Sequence, residues 1–136
     1  MAKQEKLIVS GKRKTAIAKA MIKEGTGELR INKINYQHLP YFRKLMIQEP
    51  VEITKQVLGN FNFDLDVKVS GGGQKGQIEA ARLAIAKALV KFTKSIELRK
   101  AFLAYDRNML IADVRRKEPY KPGDSKARAK RQKSYR

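Results

Sequence analysis

Cysteine is absent from this 136-residue chain, and histidine occurs once, as His38. Without thiols there can be no disulfide scaffold, zinc–thiolate site, iron–sulfur cluster or cysteine nucleophile, and a lone histidine excludes a multi-histidine metal site. Acidic residues are scarce: 13 stand against 31 Lys plus Arg, a net charge of +18 at pH 7. Long apolar runs are missing too. The least charged stretch, Gln77 to Val90, is broken by Glu79, Arg82 and Lys87, so nothing approaches the ~18–20 residues of a membrane span. Near the N-terminus the apolar segment is only Leu7-Ile8-Val9, too short for a signal peptide. These absences predict a soluble, intracellular protein with one folded body. Its expected partner is polyanionic, a nucleic acid before a membrane surface, and no homo-oligomer is expected.

The charge is unevenly spread. Residues 1–113 carry net +10, whereas residues 114–136 carry 10 basic and 2 acidic residues in 23 positions. That second segment, VRRKEPYKPGDSKARAKRQKSYR, has Val114, Tyr120 and Tyr135 as its only large apolar residues. It buries too little surface to offset the ordering of its backbone, about 1–2 kcal/mol per residue. Pro119, Pro122 and Gly123 interrupt any helix there. We therefore read residues 1–113 as a globular domain and 114–136 as an extended basic tail, disordered alone and ordered by a partner.

The body reads as mixed α/β. Strands are expected over Lys6 to Ser10 and Thr15 to Lys23, separated by a basic turn, Gly11-Lys12-Arg13-Lys14. After the turn signal Gly25-Thr26-Gly27, a third strand, Glu28 to Asn32, is expected to pair back as a hairpin. Tyr36 to Gln48 suggests one or two short helices, and Pro50 the start of another, Val51 to Leu58, stopped by Gly59. Phe61 to Ser70 alternates without a break, with Phe61, Phe63, Leu65, Val67 and Val69 on one face. This pattern demands a sheet with one buried and one solvated face, hence an antiparallel or mixed sheet. Ile78, Ala81, Ile85, Leu89 and Phe92 mark a helix from Gln77 to Thr93. Ser95 would cap another, Ile96 to Tyr105. Asp106-Arg107-Asn108 reads as a turn and Met109 to Asp113 as a last strand.

Gly71-Gly72-Gly73-Gln74-Lys75-Gly76, between strand and helix, suits an anion: glycine lets backbone come close, and a helix start offers free N–H groups. A Walker loop would continue Gly-Lys-Ser/Thr, but Gly76 is followed by Gln77-Ile78. Gly71, Gly73 and Gly76 match the dinucleotide spacing, yet the region about 20 residues on, Phe92 to Glu97, is the end of a basic helix rather than a second strand, and Glu97 is its only acid. No nucleotide cofactor is expected. An RNA phosphate site or a purely structural turn remain. Asp64 and Asp66 could hold a cation, but an outward charged pair beside Lys68 is the plainer account. His38, among Tyr36, Tyr41 and Phe42, reads as a packed or partly exposed side chain. No serine elbow or His-Glu-x-x-His motif is present. Catalytic residues and metal ligands are not expected.

Basic clusters are Lys12-Arg13-Lys14, Arg43-Lys44, Arg99-Lys100, Arg115-Arg116-Lys117 and Lys126 to Arg136. With so little acidic compensation they fit a phosphate backbone, which Arg also engages in bidentate fashion. The expected RNA-binding set is Lys12, Arg13, Lys14, Gly71, Gly72, Gly73, Gln74, Lys75, Arg115, Arg116, Lys117, Lys121, Lys126, Arg128, Lys130, Arg131 and Lys133.

Several of these segments carry a resemblance. Gly11-Lys12-Arg13-Lys14-Thr15-Ala16-Ile17-Ala18, Gly25-Thr26-Gly27 with Ile31-Asn32, Ser70 through Gln77, Arg82 through Leu89, and Lys126-Ala127-Arg128 through Gln132-Lys133-Ser134-Tyr135-Arg136 resemble, in order, the universal small-subunit ribosomal protein nine family. Lys121 to Arg128 and the Ser134-Tyr135-Arg136 ending are similar to its archaeal and eukaryotic branch. Bacterial members end Ser-Lys-Arg, so Tyr135 here takes a basic position while Arg136 is retained. The resemblance implies a domain of the ribosomal protein S-five second-domain type, with a left-handed crossover. It implies a place in the head of the small subunit, bound to ribosomal RNA beside neighbouring head proteins. The tail would run towards the decoding region, where Ser134, Tyr135 and Arg136 meet the peptidyl-site transfer RNA. At about 3.3 Å per residue, Lys126 to Arg136 would reach about 35 Å. The rival readings are a small-molecule kinase-like enzyme of the same fold and a non-ribosomal RNA chaperone.

Overall fold

Alternating strands build the sheet that organises the chain. The computed structural model describes residues 5–123, 126–128 and 135. Five strands, β1 (Leu7–Arg13), β2 (Ala16–Glu24), β3 (Leu29–Ile31), β4 (Ile34–Asn35) and β5 (Phe63–Ser70), form one mixed sheet in the order β1-β2-β5-β3-β4. Three helices complete the body, α1 (Tyr41–Leu58), α2 (Gln74–Thr93) and α3 (Ile96–Tyr105), the last two on the expected apolar stripes. Helix α2 lies on β1, β2 and β5, and α1 packs on α2 and α3. One strand alternation is buried beneath them: Val9, Ala18, Ala20, Ile22, Leu29, Leu65 and Val67. Each large side chain fully buried this way contributes about 1.5–3 kcal/mol. Ser95 caps α3 as expected, accepting from the Leu98 amide at 3.2 Å, and Gly59 ends α1 in the left-handed region.

Five details differ from the sequence reading. First, β1 runs through Gly11 to Arg13, and only Lys14-Thr15 turn. Gly11 serves a contact, not a turn: a Cβ there would lie 2.7 Å from both the Ala80 carbonyl oxygen and the Ala84 nitrogen of α2.

Second, β3 does not pair with β2. Strand β5 lies between them, antiparallel to β2 and parallel to β3. Asp64 explains the opened hairpin. Its carboxylate accepts the amides of Thr26, Gly27 and Glu28 at 2.9, 3.2 and 3.1 Å, so the Gly25–Gly27 turn closes around the start of β5. Partial burial opposes ionisation, but these amides and Lys23 outweigh it and lower the Asp64 pKa. Asp64→Ala is expected to cost about 2 kcal/mol in urea denaturation. Because the folded-state pKa lies below the unfolded value, this stability is present above the ordinary carboxylate range and is lost as pH falls through the lowered value. The difference between parent and variant should therefore shrink in acid.

Third, Tyr41–Leu58 is one helix, with Pro50 inside it. A missing N–H costs about 3 kcal/mol in a helix interior. Here Ile47, Pro50, Val51, Ile53 and Thr54 are buried together, and Thr54 donates to the Pro50 carbonyl at 2.7 Å. Packing overrides the local preference. Fourth, α2 starts at Gln74, because Gly73 takes the cap position and its carbonyl receives the Gln77 amide at 2.9 Å. Fifth, Met109 to Asp113 is not a strand. A 3₁₀ turn covers Arg107–Met109, and Met109 is fully buried. Asp113 is held by the Arg13 side chain rather than by a strand ladder.

Candidate nucleic-acid interface

Topology gathers the basic loops at one end of the sheet. Ile17 pairs with Ser70, so the β1–β2 turn and the glycine loop are neighbours. Gly71 and Gly72 have φ of +74° and +63°, and a Cβ on Gly71 would sit 2.7 Å from the Thr15 carbonyl oxygen. These two glycines are thus required by the backbone and by the close approach of the β1–β2 turn. Gly73 has open space around it. It caps α2 without a side chain, so the first amides of that helix receive no side-chain cap. Arg43 donates to the Gln74 side chain, which brings the start of α1 to the same end, and Gln77 holds the Gly71 carbonyl at 3.1 Å.

At this end of the sheet, two lysines occupy turn positions that favour glycine. Lys14 has φ +54° and Lys33 has φ +70°. The β3–β4 turn, Asn32-Lys33, is level with the end of β5, since Asn32 exchanges hydrogen bonds with the Val69 backbone at 2.9 and 3.3 Å. Lys12, Lys14 and Lys75 are exposed at this end. Glu24, Glu28, Asp64 and Asp66 lie at the other end of the sheet, around the β2–β3 turn and the start of β5. There Lys23 and Arg30 pair with Asp64 and Glu28 at 3.8 and 2.7 Å, whereas Lys12, Lys14 and Lys75 have no ion pair among the described residues.

Arg13 stands apart from its neighbours. Its side chain is only 16% exposed and bridges Glu79 at 2.6 Å and Asp113 at 3.1 Å. Asp113 in turn receives the Arg115 guanidinium at 2.6 Å. Hydrogen bonds from the Arg115 side chain and amide, together with the charges of Arg115 and Arg13, hold the Asp113 carboxyl well below the usual carboxylate range despite partial desolvation. The same pairing raises the Arg115 pKa. Sequence grouped Arg13 with Lys12 and Lys14 as a free surface charge. The structure instead makes it the tie between β1, α2 and the segment leading to residue 114, because alternation along β1 turns it away from the face of Lys12. Arg82 is likewise spent internally, on Glu49 at 2.6 Å and Asp106 at 3.1 Å.

Beyond Asp113, residues 114–123 are exposed and form no helix or strand. Arg116, Lys117 and Lys121 project there, with the Lys117 ammonium 5.0 Å from the Tyr120 ring centroid. Lys126 and Arg128 are exposed, and Arg128 pairs with Glu118 at 3.0 Å. Tyr135 is exposed. Lys130, Arg131, Lys133, Ser134 and Arg136 lie outside the described residues. Asp64 acts as the turn clamp rather than half of a cation site, and no cluster of metal-ligating side chains occurs among the described residues. His38 is exposed in a 3₁₀ turn. No helix among the described residues is long and apolar enough to cross a membrane.

The profile of the family described as ribosomal protein S9/S16 matches residues 11–136. The chain belongs to the ribosomal protein S9/S16 family. It is 50% identical over 129 residues to the small ribosomal subunit protein uS9 of Methanococcus maripaludis strain C7, covering 93% of this chain and 95% of that one. Its identity to the small ribosomal subunit protein uS9 of Methanococcus vannielii is 48% over the same lengths. These archaeal relatives agree with the branch read from the Lys121 to Arg128 segment and the tail ending. As a member of the S9/S16 family, the chain carries its basic loops on the mixed α/β body that the resemblance implies.

Proposed function

We propose that this chain is a structural component of the small ribosomal subunit that binds the subunit's ribosomal RNA through two basic regions. The first is the end of the sheet formed by Lys12, Lys14, Gly71, Gly72, Gly73, Gln74 and Lys75. There, lysine ammonium groups and uncapped helix amides meet phosphate oxygens. The second is the tail, in which Arg115, Arg116, Lys117, Lys121, Lys126, Arg128, Lys130, Arg131 and Lys133 track the backbone of folded RNA. Arg13 holds the base of the tail instead of contacting RNA. The observation that carries the reading, in a family of ribosomal proteins, is that Lys12, Lys14 and Lys75 are exposed together at the glycine-loop end with no ion pair among the described residues, while the acids near them, Glu79 and Asp113, are taken up by Arg13. Neighbouring small-subunit proteins and ribosomal RNA are then the partners, and no chemical step is needed.

In the same reading, Ser134, Tyr135 and Arg136 reach the anticodon stem-loop of the peptidyl-site transfer RNA. A thin basic strand enters an RNA cleft that a folded domain cannot, and it is ordered there at the cost of chain entropy. Small subunits reconstituted with a chain lacking residues 134–136 should assemble like the parent and retain peptidyl-site transfer RNA several-fold less well. Unchanged retention, with unchanged reading-frame fidelity, would remove the transfer RNA contact.

A further inference from the structure

Among the described residues nothing covers the sheet face opposite α2, and its charge pattern is unusual for a face left to water. Ile8, Ser10 and Lys12 of β1, Ile17 and Lys19 of β2, and Lys68 and Ser70 of β5 are exposed on it. The register places Ser10 opposite Lys19 and Lys19 opposite Lys68, one row from Lys12, Ile17 and Ser70. Lys19 and Lys68 are thus like charges facing each other directly across an antiparallel pair, an arrangement that destabilises a sheet. Their side chains make no ion pair among the described residues; the nearest acid on the face, Asp66, is a row away, opposite Met21 and Arg30. A protein answering only to its own stability would place an acid at one of the two positions.

We propose that the row Ser10–Lys19–Lys68, continuous with Lys12 and Ser70, is a second RNA-binding surface that takes a phosphate backbone across the open sheet. The inference rests on the RNA-binding reading of the loop and tail and extends it to a face that neither includes. Phosphate is favoured by the chemistry of the row. Lysine supplies compact point charges on flexible stems, serine hydroxyls add donors suited to phosphate oxygens, and a bound anion converts the repulsion between the two lysines into joint attraction. The face has no aromatic platform for stacked bases, so the contact is with backbone rather than with sequence. Since Ser70 leads directly into Gly71, one strand of RNA can pass from the glycine-loop end onto the sheet.

The test compares the full chain, the double variant Lys19→Gln/Lys68→Gln and the loop variant Lys14→Gln/Lys75→Gln. Each is titrated against in vitro transcribed small-subunit ribosomal RNA over a salt series. The sheet variant should lose about 2 from the slope of log affinity against log salt, and at least roughly tenfold in affinity at about 0.1 M salt. Its free form should melt no lower than the parent, because the opposed charges are gone. A sheet variant that binds with the parent's slope and affinity overturns the proposal, even if the loop variant is weakened. That result would leave the row to an acidic protein neighbour. A parent chain without salt-dependent binding would instead defeat the underlying RNA-binding reading. A sheet variant that melts lower than the parent is replaced by the charge-retaining Lys19→Arg/Lys68→Arg, which must bind like the parent if charge is what matters.

Discussion

Gly11→Ala should destabilise the body by about 3 kcal/mol, the upper range for overpacking a close contact. An added Cβ would meet the Ala80 carbonyl oxygen and the Ala84 nitrogen, each at 2.7 Å. Both are helix backbone atoms, so neither can rotate away as a side-chain tip would. Either β1 withdraws from α2 or the helix moves off Ala16, Ala18 and Ala20, the small residues that let it lie close to the sheet. Urea denaturation gives the expected loss as a lower midpoint at constant slope. Gly73→Ala is the matched control. It adds the same methyl group where nothing lies within 4 Å, and should cost less than about 1 kcal/mol. Equal effects at the two sites would show that the approach of α2 to β1 is not as described.

Removing residues 114–136 should lower affinity for small-subunit ribosomal RNA by more than about 100-fold at about 0.1 M salt, the counterion-release term of three or more lost phosphate contacts. The segment holds 10 of the 31 basic residues and 2 of the 13 acids. The cut leaves Asp113 ion-paired with Arg13, so the body keeps the tie to Glu79 and β1. Circular dichroism and melting of the shortened chain should therefore remain close to those of the parent. A shortened chain that stays folded yet binds as tightly as the full one would confine RNA contact to the body.

Much of this fold is visible in local pattern. The alternation of Phe61 to Ser70, the helical spacing of Ile78, Ala81, Ile85 and Leu89, the Ser95 cap and the Gly59 stop each act within a few residues of themselves. What the pattern misses depends on distant partners. Gly11 looks like a turn residue until α2 lies across it. The Gly25–Gly27 turn looks like a simple hairpin until Asp64, 37 to 39 residues away, draws β5 between its arms. Pro50 looks like a helix start until its flanks are buried together against the other helices. The interface shows the same division. Lys12, Lys14 and the glycine loop could be named from charge and glycine content. That Arg13 is paired internally emerges only from strand alternation plus the positions of Glu79 and Asp113, and the Lys19–Lys68 opposition appears only once β5 is seen beside β2.

The central claim is that these cations are matched by folded RNA, and its most direct measurement is a salt titration of binding between the full chain and small-subunit ribosomal RNA. With six to ten phosphate contacts, affinity should fall log-linearly by about 10³–10⁵ between 50 and 200 mM salt, by analogy with duplex DNA. The chain ending at Asp113 should give a shallower line. A flat response from the full chain would contradict the account.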